Sequence, residues 1–137
     1  MPTIQLLTTI NAPIEKVFDA ARSINLHQAS MQHTNEIAIA GVTTGLINEG
    51  ETVTWQARHL FATRTMTVKI TVMQPYHYFK DEMLEGDFKQ MQHQHHFHYE
   101  QGVTIMKDEF YFETPYGMLG WLVNIVFLKS YMKKLLQ

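Results

Sequence analysis

Eight histidines and nine methionines in 137 residues are the side chains with the most chemistry to offer in this sequence. Four of the histidines fall in one run, Met91-Gln92-His93-Gln94-His95-His96-Phe97-His98. Read as a strand, the run divides by period two. Met91, His93, His95 and Phe97 share one face, while Gln92, Gln94, His96 and His98 share the other. A two-residue turn at Gln101-Gly102 pairs Glu100 with Val103. The same register sets Phe97 opposite Met106, His95 opposite Asp108 and His93 opposite Phe110. Phe79, Asp81 and Met83 fit the inner face of the preceding strand, which brings Asp81 beside His93 or His95.

Three uses of this polar stripe are open. His93 and His95 can be satisfied structural groups, with His95 bonded to Asp108, because a buried carboxylate is costly without a partner. The stripe can orient the polar head of an apolar ligand. It can also be chemical, since His-x-His on one strand face is a metal-ligand spacing and His95 with Asp108 is a usable general base. Alternation alone puts any two such residues on one face, so no metal is assigned and no cofactor is expected. Cysteine is absent, which removes thiolate ligands, disulfides and thiol nucleophiles. No nucleophile elbow, phosphate-binding glycine loop or His-Glu-x-x-His motif is present.

The elements that must hold these residues follow from pattern. Residues 3–10 read as a strand. Asn11-Ala12-Pro13 is a helix entry, with Asn11 or Ala12 as cap and Pro13 near the first turn, and 13–22 is an amphipathic helix. Asn25 caps a second short helix running to about Met31. The period then switches to two over 36–42, 52–59, 65–72, 77–84, 91–99 and 103–113. Met66, Val68, Ile70 and Val72 are expected on one buried face. A hairpin loop across 60–63 would pair Ala57 with Met66 and Trp55 with Val68, turning Val53, Trp55, Ala57 and His59 inward. From Met118 onward one long helix is expected, apolar almost all round. Lys129, Lys133 and Lys134 suit its C-terminal dipole. Trp121, Ile125, Phe127 and Tyr131 are candidates for an exposed patch on it. Short turns make the strands antiparallel, and the long helix is the available cover for the sheet.

Composition narrows the partners. A formal charge of −2 with no basic stripe argues against nucleic acid. The apolar stretch 118–128 is interrupted by Gly120 and Asn124 and falls short of the roughly 20 residues a span needs, so stable membrane insertion is not expected. The opening MPTIQLLTTINAP lacks signal-peptide features, and a cytoplasmic location is expected.

Three stretches resemble the SRPBCC superfamily, also called START-like or birch-pollen-allergen-like helix-grip proteins. INAPIEKVFDAARSINLHQASM resembles the opening of the polyketide-cyclase-like and coenzyme-Q-binding-like branches. GLINEGETVTWQARHLF and MKDEFYFETPYGMLGWL resemble a loop-strand and a last-strand-to-helix junction in a small bacterial ligand-binding subgroup. One departure is Leu60-Phe61 after His59, where relatives often carry Phe-Gly. The resemblance implies an α+β helix-grip fold over 1–137, a single START-like ligand-binding domain. Its seven-stranded curved antiparallel sheet wraps a long C-terminal helix, with two short helices between strands one and two, around a deep apolar cavity. The implied function is binding or transport of a small hydrophobic molecule of lipid, isoprenoid or polyketide-like type. Trp55, His59, Met66, Asp81, Met83, His93, His95, Asp108, Phe110, Leu122 and Val126 are expected to line the site. The alternatives are a cyclase or dehydratase using His95 and Asp108, and an interaction module for a separate enzyme. A homodimer is a further open partner state.

Overall fold

The computed structural model describes residues 3–32, 35–59, 62–86, 90–113 and 118–137; the side chains of 58, 59, 62 and 118–124 are outside the description. In chain order the elements are β1 (Thr3–Ile10), α1 (Ile14–Ala21), α2 (Ile24–Ser30), β2 (Ile37–Gly41), β3 (Thr52–His59), β4 (Ala62–Gln74), β5 (Tyr78–Glu85), β6 (Gln90–Glu100), β7 (Val103–Glu113) and α3 (Met118–Leu136). The seven strands form one antiparallel sheet in the order β1-β7-β6-β5-β4-β3-β2. The first strand therefore closes onto the last, and every other neighbour is a sequence neighbour.

The helix entries differ in detail from expectation. Pro13 itself caps α1, with extended backbone at φ −62° and ψ 148°. Val17, Phe18 and Ala20 form the buried face of α1. Ser23, not Asn25, caps α2: its hydroxyl accepts from the Leu26 amide at 3.1 Å. Asn25 instead uses its Oδ1 to accept from the Gly45 amide at 2.6 Å. A capping side chain must precede the first helical residue, and Asn25 is already inside the turn. Buried Thr104 donates from Oγ1 to the Ala12 carbonyl at 2.7 Å, which ties β7 to the start of α1.

The β6–β7 hairpin has the expected register throughout, including Phe97↔Met106, His95↔Asp108 and His93↔Phe110. Gln101 and Gly102 both adopt positive φ, 51° and 84°, as a two-residue turn with the right twist requires. The β3–β4 hairpin is tighter than expected. His59 pairs with Ala62, so Trp55 faces Met66 and Val53 faces Val68. The shift is two residues, an even number, so Val53 and Trp55 keep their inward face. Val72 does not keep the face of Ile70. The β4–β5 register slips between them, and Met73 packs against the core in its place. On the β2 side, Gly41 has φ 73°, and a Cβ there would lie 2.2 Å from the Thr52 carbonyl oxygen.

The core lies between the concave face of the sheet and the helices. Phe18 is fully buried and meets three rings edge-on: Tyr76, Phe79 and Phe97, at 5.4, 5.5 and 5.0 Å. Helix α3 contacts α1, α2 and β1. Its buried stripe is Ile125, Leu128, Lys129 and Met132, the i, i+3, i+4, i+7 spacing of one helix face. Ile125 is therefore core and not part of an exposed patch, whereas Phe127 and Tyr131 are exposed. Lys129 is no C-terminal surface cation. It is only 3% exposed and lies inside the fold. Among the described residues no helix is long and apolar enough to cross a membrane.

Candidate functional site

Alternation on three adjacent strands places Asp81, His93, His95 and Asp108 together on the inner face, and α3 adds Lys129 from above. The His95–Asp108 bond expected from register gives way to a different pairing. His93 donates from Nε2 to Asp108 Oδ1 at 2.7 Å, and His95 donates from Nε2 to Asp81 Oδ2 at 2.8 Å. His95 Nδ1 stands 3.3 Å from Asp108 Oδ1, and Lys129 Nζ stands 3.2 Å from the same oxygen. Directly paired residues have close backbones, but a long imidazole on a twisted sheet reaches the diagonal neighbour more easily. The two imidazoles stack at 3.6 Å. Phe79 stacks on His95 at 3.9 Å and Phe110 lies 3.8 Å from His93, so apolar rings fix both histidines in place.

Three buried polar atoms of this cluster make no hydrogen bond among the described residues: His95 Nδ1, Asp108 Oδ2 and Lys129 Nζ. The cluster holds two carboxylates and one ammonium, the latter against Asp108, which leaves one formal negative charge in excess when both imidazoles are neutral. Burial pushes the Asp108 carboxyl up, but the Lys129 charge, the His93 bond and the nearby His95 ring outweigh it and hold it well below the carboxylate range. Burial likewise raises Asp81, and the His95 bond with the charges of His93, His95 and His27 brings it below its ordinary value. Burial and the neighbouring His95 push His93 down to about 4, against the upward pull of Asp108 and Asp81.

These shifts set a pH dependence. Folded His93 stays neutral down to about pH 4, whereas the unfolded chain takes up that proton near 6.5. The unfolded state then binds more protons, so stability falls as pH falls through this window. The depressed carboxylates add to the loss below the unfolded carboxylate pKa, in the same direction. Urea unfolding in metal-free buffer is expected to show about 2 kcal/mol less stability at pH 5 than at pH 7. In His93→Gln that slope should largely disappear; a wild-type stability that is flat between these values would contradict the burial of a neutral His93.

The inner face is not covered evenly. Over β6 and β7, Met91, Phe97, Met106, Phe110 and Phe112 are all buried. Over β3 to β5, Val53, Val68, Ile70 and Phe79 are buried too, but Trp55, Met66, Asp81 and Met83 are only partly buried, with the Asp81 side chain 15% exposed. Met66 and Met83 meet above Gly86, where a Cβ would lie 2.7 Å from Met83 Sδ and 3.3 Å from Met66 Cγ. From α2, His27 stacks on Trp55 at 4.2 Å and is held by Glu36 at 2.7 Å. The half-covered floor thus has thioethers along one side, a His27–Trp55 stack along another, and the Asp81–His95 pair at its edge. A separate recess of about 330 Å³, lined by Gln28, Gln32, Asn35 and Glu36 among others, lies between α2 and β2 and includes none of the expected site residues.

Of the residues expected from sequence, Trp55, Met66, Asp81, Met83, His93, His95, Asp108 and Phe110 share the inner face. Val126 is 46% exposed and lies off the buried stripe of α3, so it is turned away from this lining. The backbone of His59 ends β3 opposite Ala62; its side chain and that of Leu122 are outside the described residues. Sequence reasoning missed His27 and Lys129. The second had a signal: Ile125, Leu128 and Met132 define a stripe that Lys129 shares, and buried Asp108 needed a cation.

No protein-family model matches this sequence, and no curated protein does. Solved structures do match over nearly the whole chain. TTHA0849 from Thermus thermophilus is 17% identical with a TM-score of 0.71, covering 97% of this chain and 95% of that one. Ara h 8.0201 is 12% identical with a TM-score of 0.73, covering 98% and 97%. CalU16 from Micromonospora echinospora is 16% identical with a TM-score of 0.60, covering 95% and 75%. These likenesses establish the fold: a seven-stranded antiparallel sheet with a C-terminal helix, the helix-grip architecture.

Proposed function

We propose that this helix-grip chain binds a small hydrophobic molecule over the half-covered floor of Trp55, Met66 and Met83, with the ligand's polar end beside Asp81 and His95. The observation that carries this reading is the incomplete cover of Trp55, Met66, Asp81 and Met83 on a sheet face whose other apolar residues, from Val53, Val68, Ile70 and Phe79 to the β6–β7 lining, are buried. Thioether side chains adapt to ligands of irregular shape, and an apolar floor with a few placed polar groups is the usual make-up of a ligand site. The excess negative charge of the cluster favours an uncharged hydrogen-bond donor, such as a hydroxyl, over a carboxylate.

Titration of the chelator-treated protein with farnesol and with palmitate, read by native mass spectrometry, tests this. Farnesol is expected to bind one per chain and palmitate more weakly. Asp81→Leu should weaken farnesol roughly 10–100-fold, the loss of one hydrogen bond to a charged group, and leave palmitate no weaker. Failure of both compounds to bind, or a preference for palmitate, would count against the reading.

One observation favours a second reading. The His95–Asp81 pair is a hydrogen-bonded imidazole and carboxylate at the edge of the floor, the arrangement of a general base and its orienting acid. A cyclase or dehydratase of this build would use His95 with Asp81, not with Asp108. Loss of a turnover in His95→Ala with ligand binding intact would select it.

A further inference from the structure

We propose that Asp81, His93 and His95 form a binding site for one divalent transition-metal ion. The inference goes beyond the ligand reading and does not depend on it. One ligand atom from each of these residues lies within 4.8 Å of the others, on two adjacent strands of a rigid sheet. Two imidazoles and one carboxylate, with no thiolate anywhere in the chain, form a donor set suited to zinc, cobalt, nickel or ferrous iron rather than to magnesium or calcium.

The proton positions make the case. With its proton on Nε2, shared with Asp81 Oδ2, neutral His95 turns a bare Nδ1 lone pair toward Asp108 Oδ1 at 3.3 Å. That contact is repulsive, and His95 Nδ1 has no hydrogen bond. A metal ion between Nε2 and Asp81 Oδ2 removes the conflict. The proton moves to Nδ1, where Asp108 Oδ1 accepts it, and no net proton is gained or lost. The separation need only open from 2.8 Å to roughly 3.4 Å, the spacing of two tetrahedral ligands each about 2.1 Å from one ion. In this site His93 would keep its Nε2 proton on the same Asp108 oxygen and ligate through Nδ1.

Asp108 is then the shared outer acceptor for both ligating histidines, the arrangement that fixes tautomer and ring orientation in metal sites. Lys129 balances the charge of Asp108. The Asp81 carboxylate is left as the unbalanced charge, and it is the ligand that borders the half-covered floor. Three protein ligands would leave coordination positions open on that side.

Calorimetric titration of the metal-free full-length protein with zinc chloride, alongside cobalt(II) absorption spectra, is the test. One ion per chain is expected. His95→Ala and Asp81→Ala should abolish this binding, Asp108→Asn should weaken it roughly 10–100-fold, and His98→Ala on the exposed face should leave it unchanged. In the wild type, nitrogen NMR of the imidazoles should show His93 and His95 as the rings that shift on zinc addition. This readout holds even if a variant fails to fold. No stoichiometric binding, or shifts confined to His96 and His98, would overturn the proposal. Farnesol binding in the presence of chelator is scored separately, so failure of either inference leaves the other standing.

Discussion

Replacing Lys129 by methionine is expected to destabilise the fold by about 3–5 kcal/mol, a large share of what a domain of this size possesses. Methionine matches the stem of lysine in length and apolar character, so packing along the stripe of Ile125, Leu128 and Met132 is largely kept. What is lost is the cation 3.2 Å from Asp108 Oδ1, in a place where Asp108 is 1% exposed. Asp108 and Asp81 would then share a buried region with only imidazoles to compensate them. The double variant Asp108→Asn with Lys129→Met should recover most of the loss. Its amide oxygen can still accept from His93 Nε2, and the Lys129–Asp108 charge pair is removed as a unit, leaving no newly unpaired charge. Urea unfolding of the wild type, both single variants and the double variant gives the coupling directly. A neutral Lys129→Met would mean that Lys129 is not the counter-charge of Asp108.

The second large effect is expected at Phe18. Phe18→Ala should cost about 3–5 kcal/mol, the range for removing a fully buried phenyl ring. Phe18 is 0% exposed and links α1 to the sheet through edge-on contacts with Tyr76, Phe79 and Phe97. The damage should reach the site, because Phe79 carries His95 on its face at 3.9 Å. Phe18→Leu keeps most of the volume and should cost less than about 1.5 kcal/mol. Equilibrium unfolding measures both; an alanine variant within about 1 kcal/mol of wild type would show that the rings do not depend on Phe18.

What was legible in the sequence follows from how local each determinant is. The β6–β7 register could be read because a two-residue turn fixes it, and it placed His93, His95 and Asp108 on one face. The β3–β4 register was two residues off because nothing in residues 60–63 dictates loop length, yet parity survived and Trp55 stayed inward. The slip that turns Val72 out of line depends on pairing with β5 and leaves no mark in the alternation of 65–72. The pairing of His95 with Asp81 depends on diagonal reach across the sheet, which strand patterns do not carry. Lys129 was read as a helix-end cation because a lysine near the last turns ordinarily sits in solvent. Only the packing of α3 over the sheet reveals that it answers Asp108.

Methionine-methyl NMR tests the central claim most directly, because Met66 and Met83 lie on the inner face of β4 and β5 and Met91 and Met106 on that of β6 and β7. With the protein in chelating buffer and farnesol added, the Met66 and Met83 methyl signals should shift, while those of the tightly enclosed Met106 and Met132 should hold still. Shifts confined to Met106 and Met132, or none at Met66 and Met83 under saturating farnesol, would contradict a ligand floor over β3 to β5.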